Sequence, residues 1–415
     1  MAGTGVHPPV LSFAERDRRW KRVRDLMRQR GLDGLVVAGF RTREMYESYV
    51  SDDYNEGCVI FPLEGDPVVV TWAHLRVMRA LWSAERGDKL WIEDQRVATS
   101  GQAAAEIVAE KHLAESKLGV VGLTSQAPTE IYGGIPATFW AQFSTALPKA
   151  SFEDISEEFS HLMLVKSEEE LAQVRYAAAA AEAACKAIAE VAEPGVGEEV
   201  IMAEATAAML RFGIGLRYPM IVMNSGPATL SWGPPRWTTR GEAPRVLQRG
   251  DLMQAELMPL CGNQEVQVQM TVACDPIDET NRTCERVARQ CYDAGLHEMK
   301  PGMKFSELVA IMEEPLKSSG CWSYTPLLHS VGPHFLMGRS SVNANSINLR
   351  DMGVRFQGAM EWRVRDAVLQ EGMVFAFEPN ACIGTHRVNI GGTVVVTESG
   401  CEELNVIPTS VTHKQ

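Results

Sequence analysis

No run of about 18 apolar residues occurs in this sequence, so no membrane-spanning helix is expected. A block of basic residues is also missing. Lys and Arg total 40 against 53 Asp and Glu, a formal charge of -13. That balance argues against nucleic acid or an anionic membrane as partner. The start of the chain is broken by Pro8 and Pro9 and lacks the apolar core of a leader segment; the expectation is a cytoplasmic protein. Nine cysteines are scattered from Cys58 to Cys401, yet no C-x-x-C pair is among them, and Cys274, Cys284 and Cys291 are not spaced as in a zinc ribbon. Free, buried thiols are the expectation.

What is present is enough for two cores. The chain has 415 residues, 45% of them hydrophobic and 22% charged, and this length fits two domains. Residues 1–160 read as alternating strands and helices. Helical periodicity covers Glu15 to Arg30, with Trp20, Val23, Leu26 and Met27 on one face. Strands are predicted at Gly34–Gly39, in a hairpin of Cys58–Phe61 with Pro67–Thr71, at Leu90–Ile92 and at Leu118–Gly122. Helices are predicted over 76–85 and 101–114. An α/β domain with a mixed or parallel sheet follows.

Residues 161–415 read as α+β. Ser167 followed by Glu170 is a capping box, opening a helix that runs through an alanine-rich stretch to about Val191. A second helix spans about Glu198 to Phe212, and strands follow at Pro219–Met223, Leu252–Leu257 and Gln264–Ala273. Two more helices, from about Glu279 and Phe305, precede strands at Met373–Phe377 and Thr393–Thr397. Two helices then strands, twice over, suggest an internally duplicated half.

Three segments can carry chemistry. Gln264–Thr271 alternates, so Glu265, Gln267, Gln269 and Thr271 share one face. That face is either solvated or the wall of a polar pocket. His329-Ser-Val-Gly332-Pro-His334 puts two histidines in a Gly/Pro loop. Glu378 ends the apolar strand Met373–Phe377, where a carboxylate needs a cation, a proton donor or a ligand.

Together with Val165-Lys-Ser-Glu-Glu-Glu170, Met223-Asn-Ser-Gly226, Gly250-Asp-Leu252, Lys300-Pro-Gly302 and Val394–Gly400, these segments resemble, in order, the superfamily of methionine aminopeptidase, prolidase, aminopeptidase P and creatinase. The resemblance implies a creatinase-type N-terminal α/β domain over 1–160 and a C-terminal pita-bread domain over 161–415. It also implies a homodimer in which the loop Tyr49–Glu56 faces the neighbour's pocket. The five ligand positions of the family's two-metal site fall on Glu256, Gln267, His329, Glu378 and Gly391. Only the histidine and one glutamate stand unchanged, and charge balance argues against two hard cations.

The resemblance leans towards creatinase, the metal-free member. The expected function is a metal-independent hydrolase or lyase cleaving a C–N or related bond in a small polar, amino- or guanidino-bearing molecule. His329, Glu378, Glu256 and His334 are its expected catalytic groups; Trp232, Glu265, Gln267, Gln269 and Glu56 are expected to bind substrate. In this reading His329 is the acid/base, Glu378 holds it or binds a cationic group, and Trp232 supplies an aromatic wall. Trp232 stands where the family has an active-site histidine, Gln269 where creatinase has a glutamate, and Glu56 near an expected arginine, which points away from creatine itself. No cofactor is expected. The alternatives are an Xaa-Pro-type peptidase with one divalent ion on Glu256, His329 and Glu378, and a non-catalytic binding protein.

Overall fold

The computed structural model describes residues 7–40, 43–127, 133–343, 353–355 and 364–415. The chain forms two compact units: Leu11–Leu164 with Pro333–Phe335, and Met1–Val10 with Val165–Gly332 and Leu336–Gln415. The junction thus lies at Leu164/Val165, just beyond the expected 160/161, and each unit borrows a short segment from the other's stretch of sequence.

The first unit is built on a mixed sheet of β1 (Gly34–Ala38), β2 (Gly57–Pro62), β3 (Val68–Thr71), β4 (Gln95–Val97), β5 (Lys117–Val121) and β6 (Ser151–Asp154), in the order β4-β3-β2-β1-β5-β6. β1 is central and buried throughout. Its alternation feeds two cores. Leu35 and Val37 pack with Trp20, Val23, Met27 and Phe159. Val36 packs with Ala104, Ile107, Val108 and Phe143. β2 and β3 are antiparallel, as the expected hairpin requires. The strand expected at Leu90–Ile92 is instead coil. Trp91 and Ile92 are buried, but Trp91 lies against the guanidinium of Arg19, 5.3 Å from its centroid, and the pairing edge falls on β4. Burial there comes from packing rather than from a ladder, and an apolar run alone does not tell the two apart. The helix expected over 101–114 ends at Glu110, and helices Ala137–Ala146 and Ser156–Met163 are additional to those expected.

The second unit begins with helix Glu168–Val191. Its N-cap Ser167 accepts from the Glu170 backbone N–H at 3.2 Å, and the Glu170 carboxylate accepts from the Ser167 N–H at 2.9 Å. Ala177, Ala180, Ala181 and Ala184 are fully buried; the small side chains allow close packing on helix Glu198–Leu210 and the sheet below. β7 (Gly215–Gly226), β8 (Leu252–Cys261), β9 (Gln264–Glu265) and β10 (Val268–Cys274) follow. Helices Glu279–Glu298 and Phe305–Ser319 then precede β11 (Leu328–Ser330), β12 (Met337–Gly338), β13 (Val374–Phe377), β14 (Asn380–Ile383), β15 (His386–Asn389), β16 (Gly392–Val396), β17 (Cys401–Glu403) and β18 (Thr412–Lys414). One sheet has the order β18-β10-β8-β7, with β9 on β8; the other has β12-β11-β13-β16-β17. β14 and β15 form a separate hairpin. A bridge between Gln269 and Gly391 ties β10 to the segment entering β16. Among the described residues no helix is long and apolar enough to cross a membrane, and all nine cysteines are free, eight of them buried.

Candidate active site

The polar row of the sequence lies on the β8–β10 hairpin. Register is unbroken along it: Leu260 faces Glu265, Leu257 faces Val268 and Glu256 faces Gln269. Strand pairing lapses only around Pro259, which has no N–H to give. Gln254 and Glu256 on β8 therefore share a face with Gln267, Gln269 and Thr271. That face is not solvated: all five side chains are buried.

Burial forces each of these groups to find a partner. The amide N–H of Gln267 donates to Glu256 Oε1 and, at 3.4 Å, to Glu378 Oε2. Gln269 Nε2 donates to the same Glu378 oxygen at 3.0 Å. Glu378 leaves the end of β13, its own N–H donating to Leu327 O at 2.8 Å. The proton donors its position demanded are thus two amides. Further along, Thr271 Oγ1 donates to Asn389 O at 2.6 Å, and Asn380 Nδ2 donates to Asn389 Oδ1 at 2.9 Å and to Glu378 O at 3.0 Å.

His329 lies on β11 rather than in a loop, paired with Ala376 and Met337. The loop begins beyond it, with Gly332 at φ 52°. Its Nδ1 is 3.0 Å from Ser330 O. A carbonyl only accepts, so Nδ1 carries a proton. Nε2 then faces Glu378 Oε1 at 3.4 Å. Two lone pairs would repel, so that approach calls for a proton on one partner or the other.

Trp232 does more than form an aromatic wall. It is half-exposed, and its indole N–H donates to Glu256 Oε2 at 2.7 Å. Both oxygens of Glu256 therefore receive N–H groups. A hard-cation cage asks for oxygen acceptors and negative charge, whereas Gln267, Gln269 and Trp232 present donors. At Gly391 the backbone has closed in: a Cβ there would overlap Phe377 O and Gln269 Oε1 and stand 3.0 Å from Glu378 Cα. Residues fit for a two-metal centre are not what this arrangement provides. Among the described residues no cluster of three or more His, Cys, Asp or Glu is disposed to hold an ion, and that includes Glu256, His329 and Glu378.

The other expected residues have these surroundings. Glu265 is buried near the turn end of the same face. His334 belongs to the first unit, where its backbone N–H donates to both Glu44 carboxylate oxygens at 3.3 and 3.1 Å. Glu56 is also in the first unit, paired with Arg76 at 3.1 Å and accepting from Trp72 Nε1 at 3.3 Å; it sits at φ 50°.

Sequence reasoning missed Arg387 on β15. It is 2% exposed. Its Nε donates to Gln254 Oε1 at 2.6 Å, and its backbone O accepts from the Gln254 amide. The guanidinium lies 5.1 Å from the Tyr324 ring centroid. Burial pushes it below its ordinary pKa, while Cys382, Tyr324, Glu256 and Glu378 pull it back up. A lone arginine in a short strand carries no signal of this in sequence.

A pita-bread unit with paired acids facing a histidine defines a class before any comparison. The metallopeptidase family M24 model matches residues 172–398. The chain belongs to that family. It is 21% identical to a creatinase of Bacillus sp. (strain B-0618) over 98% of this chain and 94% of the relative. It is 24% identical to an Xaa-Pro dipeptidase of Pyrococcus furiosus over 61% of this chain and 66% of that relative. Among solved structures, an X-Pro aminopeptidase from Thermotoga maritima matches with a TM-score of 0.72 at 17% identity, covering 95% of this chain and 99% of that one. Membership and relatives make the protein an M24 hydrolase.

Proposed function

We propose that the protein is a metal-independent hydrolase or lyase that cleaves a C–N or related bond in a small, polar, amino- or guanidino-bearing molecule. The observation that carries this is the occupation of Glu256 and Glu378 by the N–H donors of Gln267, Gln269 and Trp232. Neutral N–H donors already occupy these carboxylate oxygens. His329 is the proton carrier. With Nδ1 committed to Ser330 O, the proton held between Nε2 and Glu378 Oε1 passes to the departing nitrogen, and the pair takes it back from the attacking water. Glu378 steadies the charged imidazole, and the two carboxylates receive the positive end of the substrate.

The test is metal analysis of protein purified without chelator, alongside turnover of a panel of small amines and guanidino compounds with and without EDTA. Substoichiometric metal and EDTA-insensitive turnover are expected. Stoichiometric metal, with Xaa-Pro dipeptide cleavage abolished by EDTA, would instead establish the single-ion peptidase.

We further propose that the protein is a homodimer, placed in the cytoplasm. Supporting the dimer, Trp72, Leu75, Met78, Leu81 and Trp82 leave an apolar stripe more than half exposed on and beside helix His74–Glu85. Light scattering that reports only monomer would refute it.

A further inference from the structure

We propose that Arg387 is the internal counter-cation of the active site, carrying within the chain positive charge that a bound metal would otherwise bring to Glu256 and Glu378. The inference rests on the metal-independent reading above and deepens it.

Two carboxylates buried together are costly unless positive charge lies nearby. Neutral amides satisfy their hydrogen bonds but leave their charge in place. Arg387 is the group that answers it. Gln254 and Glu256 stand two residues apart on one face of β8, and Arg387 is clamped to Gln254 by bonds from both its side chain and its backbone. Thr271 faces Gln254 across the ladder and binds Asn389, on Arg387's own side of β15. The β14–β15 hairpin is thereby sewn onto the polar face along its length, with Arg387 at one end and the carboxylates at the other. The electrostatic interactions of the guanidinium include both Glu256 and Glu378.

A purely structural arginine would be expected to have its donors satisfied when buried. Here Nη1 is buried and has no hydrogen-bond partner among the described residues. Its position is set by Gln254 and the Tyr324 ring, and its charge is what remains for the site to use. Arg387 is therefore a positioning residue: it acts on substrate through the charge state of Glu256 and Glu378.

The experiment is a double-mutant cycle with a metal titration, using the full chain freed of metal by chelator. R387Q, R387K, E256Q, E378Q and the pairs R387Q/E256Q and R387Q/E378Q are compared by thermal unfolding, and each is titrated with manganese chloride by calorimetry. R387Q is expected to lower Tm. E256Q or E378Q should give back part of that loss, because the pair removes opposite charges together. R387Q should bind Mn2+ about tenfold or more tighter than wild type, since a neighbouring positive charge has gone, while R387K stays near wild type. If R387Q does not fold alone, the pairs decide: folding of either supports the inference, and failure of both overturns it. Additive Tm losses with no gain in Mn2+ binding overturn it while leaving the metal-independent reading intact. Stoichiometric Mn2+ binding by wild type overturns that reading and the inference together.

Discussion

The indole N–H of Trp232 donates to Glu256 Oε2 at 2.7 Å, joining a half-exposed surface residue to a buried carboxylate. The other oxygen of Glu256 receives Gln267. Removing the indole while keeping an aromatic ring leaves one acceptor of a buried charge short of a donor. Trp232→Phe is expected to cost about 1.5–3 kcal/mol of transition-state stabilisation, roughly ten- to a hundredfold in kcat/KM. The fold should be unaffected because the side chain is half outside. Steady-state kinetics with circular dichroism checks both halves of this prediction.

His329 is expected to be the residue most costly to lose. With Nδ1 on Ser330 O and Nε2 3.4 Å from Glu378 Oε1, it is placed to take and return a proton. His329→Ala should lower kcat by about 10²–10⁴-fold. Turnover unchanged from wild type would remove it from the chemistry.

By the family resemblance, Gly391 falls where the last metal-binding glutamate is expected. A Cβ at this position would run into Phe377 O and Gln269 Oε1, one of them backbone. Gly391→Ala should destabilise the fold by about 2–4 kcal/mol, and Gly391→Glu should do at least as much harm without creating a metal site. Thermal or urea unfolding reads the first; metal content reads the second.

A pH effect is expected in the first unit. Glu47 is fully buried, and desolvation raises its pKa from 4.5 to about 8, opposed in part by backbone N–H groups and reinforced by Asp53. Folding therefore favours the protonated acid. The stability this contributes is complete below the unfolded value near 4.5 and is lost as pH rises through about 8. The full swing is worth up to about 5 kcal/mol. Glu47→Gln should flatten the fall in Tm between these limits. A wild-type Tm that holds level across this range, or falls no less steeply in the variant, would contradict the assignment.

Much of the molecule was legible in its sequence, for reasons that differ by element. The capping box at Ser167 and Glu170 is local chemistry, and it forms as written. The alternation from Gln264 to Thr271 assigned the polar face correctly, because side-chain direction in a strand depends only on neighbouring residues. Glu378 at the end of an apolar strand announced a need for partners. The strand expected at Leu90–Ile92 failed because burial there comes from Arg19 and its surroundings, far away in the chain. His334 and Glu56 could not be placed by sequence at all, since their neighbours, Glu44 and Arg76, are set by the folding of the first unit.

Sequence by itself thus determined the family, the two kinds of unit, and the polar row of Glu265, Gln267, Gln269 and Thr271 along one face. By the family resemblance, it also pointed to positions 267 and 391 as lacking the acids that two hard cations would need. Only tertiary structure decided what stands in their place. The amide donors turn towards Glu256 and Glu378, the backbone closes over Gly391, and Arg387 is buried against Gln254 on the same polar face, because buried charge must be answered by whatever group the packed chain brings near.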